Sequence, residues 1–98
     1  MAHVGGMEAR YVGQIAGGAN YAPAYPGENV EFFTCLEHAA MFLDELPLND
    51  DACLVLWRTD KHESEAEAIG RTFSGVVHAD YVLTVGVRGG IKRHRLGL

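Results

Sequence analysis

Two groups of side chains in this sequence have types and spacings that can do chemistry: a Cys–His pair and a basic run near the C-terminus. Cys35 and His38 are three residues apart, so a helix would present both side chains on one face. A structural zinc site needs four ligands. Cys53, His62 or His78 would have to complete the set, and the sequence holds no second short-spaced pair. The pattern therefore favours ordinary packing over a metal site.

Nucleophilic catalysis by the same cysteine is a second interpretation. A reactive thiolate is favoured at a helix N-terminus or beside a cation, and Cys35 lies at the first position of the helix predicted below. No signature of a catalytic family surrounds it, and 98 residues leave little room for a deep cleft. Glu63, Glu65 and Glu67 are interpreted as a solvated acidic run, because acid–base work needs buried and paired carboxyls. We therefore predict no enzymatic activity, no catalytic residue and no cofactor.

The basic run is the clearest candidate for a binding surface. Residues 81–98 read YVLTVGVRGGIKRHRLGL and hold four basic residues and no acidic one (Arg88, Lys92, Arg93, Arg95). An alternating apolar run, a Gly-Gly turn and an alternating charged run predict a closing β-hairpin. Basic side chains along its second strand are typical of a sheet edge, because they discourage a further strand from pairing there.

Nucleic-acid binding by this hairpin is the alternative interpretation. Alternating Lys and Arg side chains can follow a phosphate backbone. Residues 1–60, however, hold nine acidic and two basic residues, and the whole chain carries a net charge of −5. An acidic body repels phosphate at long range, and the sequence has neither a basic recognition helix nor an RNP-like aromatic pair. Contact with a protein is therefore the preferred interpretation.

A second contact region is predicted in the segment ANYAPAYPGEN, residues 19–29. Pro23 and Pro26 bias the residues before them to extended backbone, so Tyr21 and Tyr25 lie on a loop with polyproline-like stretches. Tyrosines on such a loop either contact a partner or pack back on the core. The predicted partner-binding residues are these two tyrosines and the four basic residues of the hairpin (Tyr21, Tyr25, Arg88, Lys92, Arg93, Arg95).

These side chains must be positioned by a small α+β domain. The composition is that of one soluble globular domain, without an apolar run long enough for a membrane span and without a secretory signal at the N-terminus. Residues 1–8 are expected to be a disordered N-terminus or a cloning remnant, and residues 9–98 the domain. We predict a mostly antiparallel sheet of three to four strands packed against one main helix, with strands near 9–16, 52–58, 80–87 and 91–96.

Local signals place the remaining elements. The run ACLVLWR at 52–58 is apolar over most of its length, which predicts a central strand with both faces covered. A helix is predicted over 35–46, with a capping box formed by Thr34 and Glu37 at its start and Pro47 after its end. In the polar segment 59–68, Ser64 and Glu67 permit a second capping box. Residues 69–78 fit either a loop or a short strand.

Two segments resemble small accessory proteins encoded by phages of actinobacteria, mycobacteriophages in particular. One is FFTCLEHAAMFLDEL, an aromatic pair leading into a capped helix. The other is ADYVLTVGVRGGIKRHRL, whose turn is similar to the GPRGG turn of that group, with Val87 where a proline is usual. Together they span about a third of the chain. The resemblance implies a nonstructural phage protein of the host cytoplasm that binds a host protein, and it carries over no catalytic residue.

The combined prediction is a non-enzymatic binding protein that engages a host protein through the sheet edge or the tyrosine loop. A homodimer is also compatible with a short sheet that has one open edge, because such a sheet can extend by strand pairing. The alternative function is a nucleic-acid-binding regulator that uses the basic hairpin. No membrane partner is expected.

Overall fold

The computed structural model describes residues 3–4, 7–16, 29–45, 53–60, 63–85 and 90–95. These residues form seven β-strands, two α-helices and two short 3₁₀ helices. In chain order the elements are β1 (His3–Val4), β2 (Met7–Glu8), β3 (Tyr11–Ala16), β4 (Val30–Phe33), α1 (Leu36–Glu45), β5 (Cys53–Arg58), α2 (Glu65–Gly70), the 3₁₀ helices Arg71–Ser74 and Val76–His78, β6 (Tyr81–Val85) and β7 (Ile91–Arg95).

The main sheet is antiparallel and has the strand order β4–β3–β5–β6–β7. β5 occupies its centre, as the apolar run predicts, and every residue of β5 except Arg58 is buried. The predicted α+β class is confirmed. The sheet has five strands rather than three or four, however, and it packs against two short helices rather than one main helix.

The additional strand is β4, which pairs with β3 at one edge of the sheet. Successive strand residues point to opposite faces, so Phe32 packs against the core on one face and Phe33 joins the core on the other. Two adjacent aromatic residues show no polar–apolar alternation, because both faces of this sheet are covered. The sequence pattern therefore did not separate β4 from the preceding loop.

One face of the sheet, here called the α1 face, packs against α1. Leu54 and Leu56 of β5 and Leu83 of β6 are fully buried there against Ala39 and Leu43 of the helix. These two helical residues are four apart, so they lie on one stripe of α1. The apolar stripe predicted from the sequence thus makes the contact expected of it.

The opposite face, here called the α2 face, packs against α2 and the 3₁₀ helices. Val55 and Trp57 of β5 and Val82 of β6 are buried there with Ala68 of α2 and Ala79. Small residues at the contact let the short helix lie close to the sheet. The sheet is therefore the middle layer of three, which explains why β5 is apolar on both faces.

α1 begins one residue later than predicted. The Ala39 N–H donates to the Cys35 carbonyl at 3.3 Å, so Cys35 rather than Thr34 occupies the N-cap position. Thr34 Oγ1 lies instead 2.8 Å from His38 Nδ1, in hydrogen-bond contact. The contacts of Thr34 therefore differ from those of the predicted Thr34–Glu37 capping box.

The segment after β5 contains more helix than predicted. The second capping box is confirmed: Ser64 Oγ accepts the Glu67 N–H at 3.1 Å, and Glu67 Oε1 accepts the Ser64 N–H at 3.5 Å. Residues 69–78 form the end of α2 and two 3₁₀ helices, so neither the loop nor the strand predicted there is correct. Arg71 stabilises this arrangement by pairing with Glu63 at 2.7 Å and with Asp60 at 2.8 Å.

β1 and β2 form a separate two-stranded antiparallel unit. Both strands lie within residues 1–8, which the sequence pattern places outside the domain. Within the described ranges, neither α1 nor α2 has the length and apolar character that a membrane crossing requires.

Candidate binding surfaces

The predicted basic residues of the hairpin that the structure describes lie on β7, at the end of the sheet opposite β4. Lys92, Arg93, His94 and Arg95 are exposed, and only Ile91 is half-buried. β6 pairs with β7 on its inner side, and no described strand pairs with its outer side. Alternate residues of an edge strand direct their backbone N–H and C=O groups away from the sheet. The β7 edge therefore presents both hydrogen-bonding groups and positive charge.

The register between β6 and β7 divides these charges between the two faces of the sheet. Arg93 is the partner of Leu83, and Arg95 is the partner of Tyr81, so both arginines lie on the α1 face. Lys92, which precedes Arg93, and His94, which lies between the two arginines, are on the α2 face. A strand added to β7 would thus meet positive charge on both of its faces.

Few acidic groups neutralise this edge within the described residues. Arg93 Nη1 lies 3.8 Å from Glu37 Oε1, and both side chains are more than half exposed. Exposed pairs of this kind contribute about 0.2–1 kcal/mol. His94 Nε2 lies 3.0 Å from Thr84 Oγ1, which is a contact with a neutral group. The positive charge of β7 therefore remains largely available to a partner.

Three of the predicted contact residues, Tyr21, Tyr25 and Arg88, lie outside the described residues. Lys92, Arg93 and Arg95 are thus the predicted residues that the structure brings together, along a single strand.

A second basic surface was missed in the sequence. Arg10, Tyr11, Arg58 and Tyr81, here called the basic corner, meet where β3 begins, β5 ends and β6 begins. Tyr11 is the direct partner of Arg58, and its ring packs edge-to-face on that of Tyr81 with centroids 6.2 Å apart. Arg58 and Tyr81 are distant in sequence from the adjacent residues Arg10 and Tyr11, so only the strand register reveals that they are neighbours.

Arg58 is held in place within the basic corner. Interaction with the Tyr81 hydroxyl raises the pKa of the Arg58 guanidinium above its usual value, and nearby Tyr11 and Asp80 act in the same direction. Its backbone N–H donates to Asp80 Oδ2 at 2.7 Å, and the Asp80 N–H donates to the Leu56 carbonyl at 2.8 Å. The end of β5 is therefore anchored to the start of β6, and the charged side chain is oriented by Tyr81.

Two clefts open at the basic corner. The larger, of about 510 Å³, is lined by Glu8, Ala9, Arg10, Tyr11, Arg58 and Thr59. The smaller, of about 320 Å³, is lined by Arg10, Tyr11 and the four residues at the start of α1 (Thr34, Cys35, Leu36, Glu37). Arg10 and Tyr11 line both clefts, so the two clefts adjoin each other at the basic corner.

The cysteines occupy different parts of the molecule. Cys35 is half-buried at the start of α1, on the α1 face, whereas Cys53 is fully buried in the core of the α2 face. Burial raises the pKa of the Cys53 thiol to about 11. Across the described ranges, no three side chains of His, Cys, Asp or Glu come together as a metal site would require. Cys35 and Cys53 therefore lie on different faces of the sheet, and His62 lies outside the described residues.

Comparison with known proteins adds no relative. No protein-family model matches the chain, no curated protein is similar to it, and no solved structure matches it. The two surfaces are therefore interpreted from their own geometry and charge.

Proposed function

We propose that this chain is a non-enzymatic binding protein that adds an acidic, extended segment of a partner protein to the β7 edge of its sheet. The observation that carries the proposal is the combination found on β7: an edge without a described neighbour and exposed basic side chains on both faces. Backbone pairing supplies affinity in strand addition, and side chains next to the added strand supply specificity.

The positive charge of β7 indicates which kind of partner segment it would bind. An added strand would place its side chains directly opposite Lys92, Arg93 and Arg95, where opposite charges stabilise a strand pair and like charges destabilise it. The partner segment should therefore carry Asp or Glu at consecutive positions, because neighbouring residues of a strand point to opposite faces. The whole chain carries a net charge of −5, so much of its remaining surface would repel such a segment.

The same charges argue against pairing of β7 with a second copy of itself. A symmetric antiparallel pair centred on Arg93 would place Arg93 opposite Arg93 and Lys92 opposite His94. Like charges directly opposite each other destabilise a strand pair. Of the two partners predicted from the sequence, a different protein is therefore favoured over a homodimer through this edge.

The resemblance to actinobacterial phage proteins supplies the biological setting of the proposal. In that setting the partner is a protein of the infected bacterium, and the contact takes place in the host cytoplasm. Binding at a sheet edge suits a small accessory protein, because it needs only one strand and no deep cleft.

The test uses an eight-residue peptide with valines at both ends and consecutive glutamates at its centre, which places carboxylates on both faces of the added strand, and the corresponding valine–lysine peptide as its charge-reversed control. Isothermal titration calorimetry should detect binding of the acidic peptide only. Replacing Lys92, Arg93 and Arg95 together by alanine should weaken that binding about tenfold, since three exposed ion pairs together contribute roughly 1–2 kcal/mol. Equal affinity of the wild-type and triple-alanine proteins would contradict the proposal.

Methylation of the peptide backbone separates strand addition from simple charge attraction. Two forms of the acidic peptide, each methylated on alternate nitrogens, keep every charge but block opposite edges of the strand. One form should lose binding and the other should retain it, because only one edge of the added strand pairs with β7. Undiminished binding of both forms would rule out backbone pairing.

Nucleic-acid binding, the alternative function, is favoured by the same row of basic side chains. A single-stranded oligonucleotide held by Lys92, Arg93 and Arg95 should show an affinity that falls steeply with salt. If the oligonucleotide binds in this way and the acidic peptide does not bind, the alternative replaces the proposed function.

A further inference from the structure

The larger cleft of the basic corner has the lining of a site for a small anion. It is lined by two arginines, Arg10 and Arg58, by the half-buried Tyr11 and by Thr59, whose hydroxyl donates to the Ala9 carbonyl at 2.9 Å. Its volume of about 510 Å³ falls within the usual range of small-molecule pockets. Guanidinium forks match the oxygens of carboxylate and phosphate groups in a planar, two-bond geometry.

Neither arginine is neutralised by an ion pair within the described part of the chain. No described carboxylate lies within ion-pairing distance of the Arg10 or Arg58 guanidinium, whereas Arg71 is paired with two carboxylates. Among the described residues that line this cleft, Glu8 is the acidic one, and Asp80 lies beside Arg58 outside that lining. The described lining therefore holds two basic residues and one acidic residue, on a molecule whose total charge is −5.

The cleft is also organised before any ligand arrives. The backbone N–H of Arg58 donates to Asp80 Oδ2 at 2.7 Å, and the Tyr81 ring packs edge-to-face on Tyr11. A cleft wall that is already ordered loses less conformational entropy when a ligand binds.

We infer that the Arg10–Arg58 cleft binds a small organic molecule through an oxyanion, either a phosphate or a carboxylate group, with its apolar part against Tyr11. This site is separate from the β7 edge, because no residue of β7 lines the cleft. The two proposals can therefore fail independently.

The test follows the backbone amide signals of the full chain by NMR during titration with phenyl phosphate, benzoate and benzyl alcohol, which share one ring. Signals of residues 8–11 and 58–59 should shift and saturate with one of the two anions and not with the neutral alcohol. Tighter binding of phenyl phosphate would identify phosphate as the recognised group, and tighter binding of benzoate would identify carboxylate. Failure of both anions to saturate these signals would overturn the inference.

Matched variants show whether the cleft itself is responsible. Arg10→Ala and Arg58→Ala should each weaken anion binding about tenfold, as expected for loss of one charge-assisted hydrogen-bonding group. Arg58→Lys, which keeps the charge and is the gentler change for folding, should weaken it as well because it loses the fork geometry. Arg95→Ala, which removes a nearby arginine outside the cleft, should leave the affinity unchanged. An equal loss in Arg95→Ala and Arg58→Ala would mean general charge attraction and would overturn the inference.

Discussion

At the scale of single residues, Gly13 is the described glycine that has the least room for a side chain. A Cβ atom there would lie 2.8 Å from Leu56 Cδ2 and 2.8 Å from Phe33 Cε2. Contacts this short force neighbouring side chains or the backbone to shift. We predict that Gly13→Ala lowers the free energy of unfolding by about 1–3 kcal/mol, measured by urea denaturation.

Gly70 is the matched control for this substitution. It ends α2, and no atom lies within 4 Å of the position that a Cβ would occupy. Its backbone is already helical, so Gly70→Ala should leave stability unchanged or raise it by about 0.5–1 kcal/mol. A Gly13→Ala protein as stable as the Gly70→Ala protein would show that the core on the α1 face adapts more easily than its geometry suggests.

The residues of the two candidate surfaces differ in how well their grouping can be predicted from the sequence. Lys92, Arg93 and Arg95 alternate along one strand, so their grouping and their edge position follow from local pattern. Arg58 and Tyr81 come together only because β5 pairs with β6 in one register and β3 pairs with β5 in another. Register depends on packing across the sheet, and a single sequence does not contain that information.

At the scale of elements, α2 is the segment whose stability rests most on local bonds. It has six residues, and isolated helices of that length are unstable in water. Its Ser64 hydroxyl accepts the Glu67 N–H, which no residue of the helix itself can satisfy. We predict that Ser64→Ala lowers the free energy of unfolding by about 1 kcal/mol in chemical denaturation.

Ser64→Gly distinguishes loss of the cap from general damage. Glycine is a good N-cap residue, so this change should cost only a few tenths of a kcal/mol. If Ser64→Gly destabilises the protein as much as Ser64→Ala, the hydroxyl is not acting as a cap.

The elements that the sequence predicts correctly are those with one strong local signal. β5 is a continuous apolar run, α1 has an apolar stripe, and the Ser64–Glu67 spacing marks the start of α2. The segment after α2 lacks such a signal, because its 3₁₀ turns are stabilised by tertiary bonds such as those of Arg71 with Asp60 and Glu63. Short elements held by distant partners are therefore the ones that local pattern misses.

At the scale of the whole molecule, the sheet determines where the charged edges and the packed faces lie. β4 at one edge carries Glu31, and β7 at the other carries the basic row, so the two edges differ in charge. The two helical layers cover opposite faces, which leaves the edges as the places where the sheet can meet another chain. The proposed function depends on this arrangement rather than on any single residue.

The reactivity of Cys53 in the central strand measures how often the sheet opens. Cys53 is paired with Ala16 on one side and with Thr84 on the other, and it is fully buried. Its raised pKa keeps the thiol protonated at pH 8, so it should react with an aromatic disulfide reagent only after the sheet opens.

The half-buried Cys35 should react first, and Cys35→Ser should leave only the slow phase. Gly13→Ala should accelerate that slow phase by the factor that its loss of stability predicts, because both effects measure opening of the same sheet. A slow phase unaffected by Gly13→Ala would instead assign exposure of Cys53 to local fraying of β5.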